Sequence, residues 1–520
     1  MTTTAPDSAR TQPSPARRVE RAAVRLGAGE LTIADVVAVA RHRAPVELDA
    51  ASLAEVERTR AVIEALAADP HPHYGVSTGF GALATTFIAP ERRTQLQASL
   101  IRSHAAGSGP EVEREVVRAT MLLRLRTLLT GRTGVRPLVV QAYADLLNAG
   151  ITPIVHEYGS LGCSGDLAPL SHIALAVMGE GDVRDAQGIR MPAAGALPAA
   201  GLAPVVLAEK EGLALVNGTD GMLGQLAIAL HDLGSLVDTA DLAAAMSVEA
   251  LLGTDRVFAD DLQALRPHAG QRRSAGNILA ALDGSEIVAS HAGPGDGRVQ
   301  DAYSLRCAPQ VHGAVRDTMA HAASVASAEL AAAIDNPVVT ADGRVESNGN
   351  FHGAPIAYVL DFLAIAVADL ASISERRTDR MLDPARSHGL PAFLAGEPGV
   401  DSGHMIAQYT AAGIVSELKR LAVPASVDSI PSSAMQEDHV SMGWAGARKL
   451  RRAVDGLTRV LAIELLTAAR AADFRAPLAS SPVIAGMRSR IRELVDGPGA
   501  DRYLAPEIEA VVGLIAPARG

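Results

Sequence analysis

The chain has 520 residues, 48% of them apolar, so it is long enough to bury a large core in one domain or several. Its formal net charge of -11 and its isoelectric point of about 5.8 leave no basic face for a polyanion, and nucleic acid is not expected as a partner. The only cysteines, Cys163 and Cys307, are too few for a disulfide framework and lack a CxxC spacing. So few cysteines are typical of a protein in the reducing cytoplasm, which is where we expect this one.

The N-terminal residues 1–28 are rich in Thr, Pro, Ser, Ala and Arg and lack the continuous apolar run of a secretion signal, so we expect a disordered tail there. Beyond Leu31 the composition is dominated by Ala, Leu, Glu and Arg, with few alternating β-branched runs, which predicts a mainly α fold. The run Ile356 to Ile373 is interrupted by two aspartates, whereas a membrane-spanning helix needs about 20 predominantly apolar residues. No membrane segment is expected.

Three long helical patterns lie in the second half of the chain. An Ala-rich helix is predicted from Met319 to Asp335, where Asn336-Pro337 stops it. A second has apolar residues at helical spacing, namely Leu360, Leu363, Val367 and Leu370. A third runs from about His439 to Asp473, and helices of this length are expected to form a bundle.

Most candidate functional residues lie in or near glycine-containing loops. The first such loop is Tyr74 to Gly81. Its glycines could let Tyr74 swing over a site as a lid, although an ordinary loop aromatic fits equally well. His71 and His73, just before it, are flanked by prolines and are not expected to bind a metal. His104, at the end of a helical stretch, is on its own most simply a packed or capping residue.

The segment Gly159 to Asp166, GSLGCSGD, has three glycines around Ser164. A phosphate-binding loop is disfavoured because no Gly-Lys-Ser/Thr ending follows, and a nucleophile elbow is disfavoured by the glycine spacing. A tight turn before a helix, with Asp166 near the helix start and Pro169 in its first turn, is the simplest reading of the segment alone.

Further polar segments follow. Asn217 lies in Leu215 to Asp220, which fits a simple turn. Arg306, in Gln300 to Cys307, can bind a carboxylate through two parallel hydrogen bonds or form a surface ion pair. Phe351 lies in a polar turn, and Glu437 lies where a long helix is expected to begin.

The stretch GSLGCSGDLAPL, Gly159 to Leu170, resembles the signature of the histidine, phenylalanine and tyrosine ammonia-lyase family, and the other motifs follow in the family's order from about Leu31 to Leu466. The resemblance implies that Cys163, Ser164 and Gly165 form a 4-methylidene-imidazol-5-one group: the glycine nitrogen attacks the carbonyl of the residue before the serine, and two waters leave. No metal and no external cofactor is then needed. Many members have alanine at Cys163, a harmless difference because the ring uses only its main chain.

Such an electrophile answers a chemical need. The β-hydrogen of an amino acid is too weakly acidic for an ordinary side-chain base, and the amine is a poor leaving group, so proton transfer alone is insufficient. A covalent bond from an electrophile to the substrate divides the reaction into easier steps.

The resemblance also assigns roles. Tyr74 is the base for the β-hydrogen, Tyr303 shuttles a proton near the electrophile, and Glu437 is catalytic or anchors the imidazole. The residues expected to bind substrate are His104, Asn217, Gln300, Arg306 and Phe351. The Ser103-His104 pair and Glu437 match histidine-specific members, which convert L-histidine to trans-urocanate and ammonia as the first step of histidine degradation. A phenylalanine or tyrosine ammonia-lyase, an aminomutase, and a catalytically silent helical assembly are the alternatives.

For the architecture, the resemblance implies the fumarase/aspartase-like superfamily. Together with the tail expected from composition over 1–28, this gives an imidazolone-bearing N-terminal domain over 29–225, a central helical bundle over 226–480 and a C-terminal helical segment over 481–520. The resemblance further implies a homotetramer whose active sites draw on three chains.

Overall fold

The structure is a computed structural model that describes residues 22–27, 29–79, 85–293 and 299–517. Most of the tail predicted over 1–28 lies outside these ranges. Within it, however, Val24–Leu26 form a strand that pairs with Val46–Leu48, and Val24 and Leu26 are buried. A disordered tail therefore does not extend over these residues, because two apolar side chains on one face of a strand suffice to dock it.

The fold is mainly helical, as predicted. Within the described ranges the helices are α1 (Ile33–Ala40), α2 (Ala50–Ala68), α3 (Arg93–His104), α4 (Arg114–Leu129), α5 (Pro137–Asn148), α6 (Leu167–Val177), α7 (Ala193–Ala199), α8 (Glu211–Val216), α9 (Asp220–Ala250), α10 (Asp260–Ala264), α11 (Ala269–Leu282), α12 (Glu286–Ala289), α13 (Tyr303–Arg306), α14 (Ala308–Ala331), α15 (Ala354–Leu382), α16 (Met405–Leu421), α17 (Gly443–Asp473), α18 (Pro482–Arg492) and α19 (Leu504–Ile515).

The strands are short and lie at the edges of the helical core. They are β1 (Val24–Leu26), β2 (Val46–Leu48), β3 (Ser108–Glu111), β4 (Thr152–Pro153), β5 (His156–Tyr158), β6 (Asp182–Arg184), β7 (Arg190–Pro192), β8 (Val338–Val339) and β9 (Val345–Glu346). β1 and β2 are parallel, whereas β3 with β5, β4 with β6, β6 with β7, and β8 with β9 are antiparallel.

The centre of the molecule is a bundle of α9, α14, α15 and α17, which pack against one another. Helix-favouring Ala and Leu fill their buried faces, and the small alanines let the helices approach closely. On α15 the predicted apolar positions Leu360, Leu363, Val367 and Leu370 are fully buried. α14 covers Ala308–Ala331, so it begins before Met319 and ends before Asp335, the limits expected from sequence.

The N-terminal part packs directly on this bundle. α1 and α4 contact α9, and one hydrophobic core runs from β1 to α19. The predicted division at 225/226 falls inside α9, while that at 480/481 falls just before α18. The domain limits therefore stay a prediction.

One helix in the described ranges, α15, is long and apolar enough to cross a membrane by length and composition alone. Its most apolar window is 61% buried inside the structure, where it contacts α9, α14, α16 and α17. This burial is typical of the core helix of a folded protein.

Close contact between α11 and α14 depends on glycine. A Cβ added at Gly313 would lie 2.3 Å from the Cα of Gln271, on the facing helix. We expect Gly313→Leu to lower the free energy of unfolding by about 1–3 kcal/mol because the helices must separate, seen as a lower Tm. Gly276→Leu, at an exposed position of α11 with no atom within 4 Å of the added Cβ, is the matched control and should leave Tm unchanged or raise it. An unchanged Tm for Gly313→Leu would contradict the packing.

Candidate active site

The loop Gly159 to Asp166 is held where several helices begin. α6 starts directly after it, and the N–H of Met222 in the first turn of α9 donates to Asp166 Oδ2 at 2.8 Å. Met442, which precedes α17, donates its N–H to the carbonyl oxygen of Leu161 at 3.0 Å. The positive ends of these helix dipoles therefore surround the loop.

The start of α15 joins the same junction. A Cβ on Gly353, the residue before α15, would lie 2.5 Å from the sulfur of Met222, and one on Gly443 would lie 2.6 Å from it. Met222 is fully buried, so its side chain fills the space between the starts of α9, α15 and α17. Only glycine permits this approach.

Gly165 contacts the Asn217 turn backbone to backbone. Its φ is +85°, and a Cβ there would lie 2.0 Å from the carbonyl oxygen of Gly218. The N–H of Asp166 donates to the same oxygen at 2.8 Å, and Gly165 and Gly218 form a parallel bridge. This contact places Ser164 beside Asn217.

Asp166 fixes the loop from inside. It is fully buried, and its carboxylate accepts from Ser160 Oγ at 2.9 Å in addition to Met222. Burial raises its pKa to about 7, while these donors oppose the rise. The sequence indicates only that Asp166 lies near a helix start, because its bond to α9 joins residues far apart in the chain and leaves no local pattern.

A cavity of about 660 Å³ opens beside this loop, within the range of about 300–1,000 Å³ typical of small-molecule sites. Of the predicted site residues, it is lined by Tyr74, His104, Ser164, Asn217 and Glu437. Its other walls include Gly79, Thr86, Ile88, Leu96, Ser99, Leu100, Ser103, Leu167, Leu213, Val216 and Ser433. α3 contributes Leu96, Ser99, Leu100 and Ser103 to this lining. Polar and apolar residues alternate irregularly along α3, so its sequence does not indicate that this face lines a cavity.

Tyr74 reaches the cavity from a turn built on a small hairpin. The N–H groups of Val76 and Ser77 donate to the carbonyl oxygen of His73, and Thr78 pairs with Phe87. Phe80 and Gly81, the last residues of the predicted tyrosine loop, lie outside the described residues. His71 Nδ1 and His73 Nε2 both contact the Asp69 carboxylate, at 2.8 and 2.9 Å. Sequence reasoning missed this acid, yet no group of metal ligands occurs in the described parts of the chain.

His104 is the last residue of α3, as the motif predicts. Ser103 Oγ lies 3.0 Å from its Nδ1 and also donates to the carbonyl oxygen of Leu100. The segment after His104 is tied to α6 because the N–H of Gly107 donates to His172 Nε2 at 3.1 Å. Burial lowers the pKa of His172 to about 4, so the ring stays neutral and its Nε2 can accept.

Glu437 does not begin a helix, contrary to expectation. Its peptide group pairs with that of Ser432 across a turn, and α17 starts only at Gly443, after Met442 in a left-handed conformation. Ser432 Oγ donates to Glu437 Oε2 at 3.1 Å. Burial and the nearby Glu437 carboxylate raise the pKa of Cys163 to about 12, so this thiol stays protonated at neutral pH.

The remaining predicted residues lie elsewhere in a single chain. Within the described ranges, Gln300, Tyr303, Arg306 and Phe351 do not line the cavity. Tyr303 is 71% exposed, and the guanidinium of Arg306 stacks 4.6 Å from its ring centroid. Phe351 is half-buried and precedes His352, whose ring stacks on His439 at 5.7 Å.

The fold and this cavity can be compared with known proteins. A family model described as aromatic amino acid lyase matches residues 31–493. The chain belongs to the aromatic amino acid lyase family. Within that family it is 64% identical to the histidine ammonia-lyase of Streptomyces coelicolor, over 93% of this chain and 95% of that protein.

Solved structures agree with the family. The histidine ammonia-lyase of Trypanosoma cruzi has a TM-score of 0.87 and 39% identity, over 94% of this chain and 92% of that one. The tyrosine aminomutase of Streptomyces globisporus has a TM-score of 0.89 and 38% identity, over 95% and 96%. The predicted fold class is confirmed.

The contact of Gly165 with Gly218 can be tested without measuring activity. We expect Gly165→Ala to separate the two loops, so that the Asp166 amide, now without its acceptor, exchanges hydrogen faster in peptides covering 159–170. Gly188→Ala is the matched control: its φ of +84° carries the same left-handed cost of about 1–2 kcal/mol, but nothing lies within 4 Å of the added Cβ. Equal exchange in both variants would show that the contact does not hold the loop.

Proposed function

We propose that the chain is an ammonia-lyase that converts L-histidine to trans-urocanate and ammonia, the first step of histidine degradation. The observation that carries the proposal is the single cavity lined by Tyr74, His104, Ser164, Asn217 and Glu437. The 64% identity to a histidine ammonia-lyase supports the same substrate. Because a tyrosine aminomutase has the same fold, the fold alone does not select histidine, and the choice rests on His104, Glu437 and this identity.

The residues present fit the self-made imidazolone group. Gly165 occupies a position where a Cβ would collide with Gly218, and Ser164 lines the cavity, so a group formed from Cys163, Ser164 and Gly165 would face the substrate. When formed, it supplies an electrophilic methylidene carbon. The surrounding helix starts favour negative charge near the loop.

The chain's own residues divide the remaining work. As a phenolate, Tyr74 Oη takes a β-hydrogen of the substrate as a proton; the electrons of that C–H bond form the side-chain double bond, and the C–N bond breaks to release ammonia. The carboxylate of Glu437 accepts a hydrogen bond from the imidazole ring, and His104 contacts the same ring from α3. The side-chain amide of Asn217 binds the substrate beside Ser164.

In our proposal the enzyme is a homotetramer whose active sites are each shared among three chains. The groups that bind the substrate carboxylate then come from neighbouring subunits. Gln300 and Tyr303 are exposed, and Arg306 Nε donates to the carbonyl oxygen of Asp301 in its own segment at 2.9 Å. An exposed apolar stripe on α15 and α16 supports burial against further copies; it comprises Tyr358, Phe362, Ile365, Ile406 and Tyr409.

The substrate is tested by absorbance of the unsaturated product on adding L-histidine, beside L-tyrosine and L-phenylalanine. We expect a response to L-histidine alone.

Ser164→Ala should keep the wild-type Tm and lose at least about a thousandfold in kcat, because it cannot form the methylidene. Its intact mass should lack the deficit of two waters found in the wild type. A response only to an aromatic substrate would overturn the histidine assignment, and an active Ser164→Ala would overturn the electrophile.

The shared site is tested by mixing subunits. Tyr74→Phe and Tyr303→Phe should each be nearly inactive alone, because each removes one phenol from every site. Co-expressed together, they should regain a measurable fraction of wild-type activity, since some sites in a mixed tetramer contain both tyrosines. Pairing Tyr74→Phe with Ser164→Ala is the control: both residues line the cavity of one chain, so no activity should return. Recovery in the control, or none in the first pair, would contradict a site shared in this way.

A further inference from the structure

A fully buried ion pair lies behind the wall of the cavity. Lys210 Nζ donates to Asp335 Oδ2 at 2.5 Å, and neither side chain has measurable solvent exposure. Lys210 immediately precedes α8, whereas Asn217 immediately follows it. The pair is therefore one short helix away from a residue that lines the cavity.

The segment containing Asp335 also contacts the far end of α8. Asp335 Oδ1 accepts the N–H of Asn336 at 2.7 Å, and the carbonyl oxygen of Asn336 accepts Asn217 Nδ2 at 2.8 Å. A peptide carbonyl can only accept, so this bond fixes which end of the Asn217 amide is the nitrogen. In the parts of the chain that the structure describes this amide has no other hydrogen bond, so its oxygen and second N–H are left for the cavity.

Two further contacts hold the same segments. Asn336 Oδ1 accepts from the N–H of Asn348 at 3.0 Å, which restrains the Asn336 peptide. The buried guanidinium of Arg124 donates to the carbonyl oxygens of Asn217 at 2.5 Å and of Ile334 at 3.0 Å. Segment 334–336 is thus bonded to both ends of α8, to Lys210 before the helix and to Asn217 after it.

Burying two charges costs desolvation energy, which their attraction offsets only when the two groups are well oriented. A buried ion pair therefore points to a role in fixing one arrangement of the segments it joins. Burial lowers the pKa of Lys210 and Asp335 opposes this, which ties the charge of the ammonium to its partner. Lys210 has a φ of +66°, a left-handed conformation that a non-glycine residue keeps only when its surroundings hold it.

We propose that the Lys210–Asp335 ion pair is a positioning device that holds the side-chain amide of Asn217 at the cavity wall through the peptide of Asn336. The inference rests on the proposed function of Asn217 in substrate binding. Neither charged residue touches the substrate, so both act through Asn217.

The test is a double-mutant cycle on purified full-length protein. Lys210→Met/Asp335→Asn removes both charges at similar side-chain length, leaves no unpaired buried charge, and keeps an oxygen for the Asn336 N–H. We expect kcat/KM for L-histidine to fall about tenfold in the wild-type background and by less than about twofold in the Asn217→Ala background. Asp335→Glu, which keeps both charges but shifts the carboxylate, should show the same dependence on Asn217 and serves if the double variant does not fold.

Two controls separate positioning from stability and from electrophile formation. Arg41→Met/Asp232→Asn alters a buried ion pair that does not line the cavity. It leaves Glu115 and Arg451, the other members of the same network, paired with each other, and should lower Tm without changing kcat/KM. Each variant should keep the mass deficit of two waters; a variant without it would overturn the inference, since the pair would then act on the electrophile. An effect that persists in Asn217→Ala would also overturn it. If the substrate panel shows another amino acid, the histidine assignment fails, and the cycle is run with that amino acid.

Discussion

The contact between Gly165 and Gly218 is the constraint on which the site depends. Because a Cβ at Gly165 would lie 2.0 Å from the Gly218 carbonyl oxygen, the two loops meet through their backbones with no side chain between them. A Cβ at Gly218 would in turn lie 2.4 Å from the Asp220 carboxylate. This double restriction sets Ser164 beside Asn217 and brings the start of α9 to the loop, where Asp166 accepts its first N–H groups.

The long helices turn this local contact into a rigid frame. α9 and α17 have 31 residues each, begin at the loop and pack against each other in the bundle, so moving the loop requires moving their first turns. The single tryptophan reinforces the junction: Trp444 packs against Gly221 and donates from Nε1 to the carbonyl oxygen of Glu157 at 2.7 Å. Electrostatics follow from the same arrangement, because helices that start together direct their positive ends to one place.

Sequence predicted what depends on local pattern and on the family signature. The mainly helical class and the buried stripe of α15 follow from periodicity, and the motifs of Tyr74, His104, Ser164, Asn217 and Glu437 meet at one cavity. Contacts between distant segments could not be predicted: Asp166 with α9, and Lys210 with Asp335, leave no periodic trace. The sequence predicts too early a start for α17 because acids favour the dipole at a helix start, whereas Glu437 pairs with Ser432 in a turn instead.

Within one chain, the residues proposed to bind the imidazole ring and the residue proposed to bind the α-carboxylate lie in different places. His104 and Glu437, the groups proposed for the ring, both line the cavity of one chain and are half-buried there. Arg306, proposed for the carboxylate, lies outside that cavity over Tyr303 and is also half-buried, with its Nε donating to the carbonyl oxygen of Asp301. Assembly would desolvate it and strengthen its parallel hydrogen bonds to a carboxylate. In the proposed enzyme, selection of the ring therefore rests on residues of one chain, whereas binding of the amino-acid end, and with it turnover, requires the neighbouring subunits of the proposed tetramer.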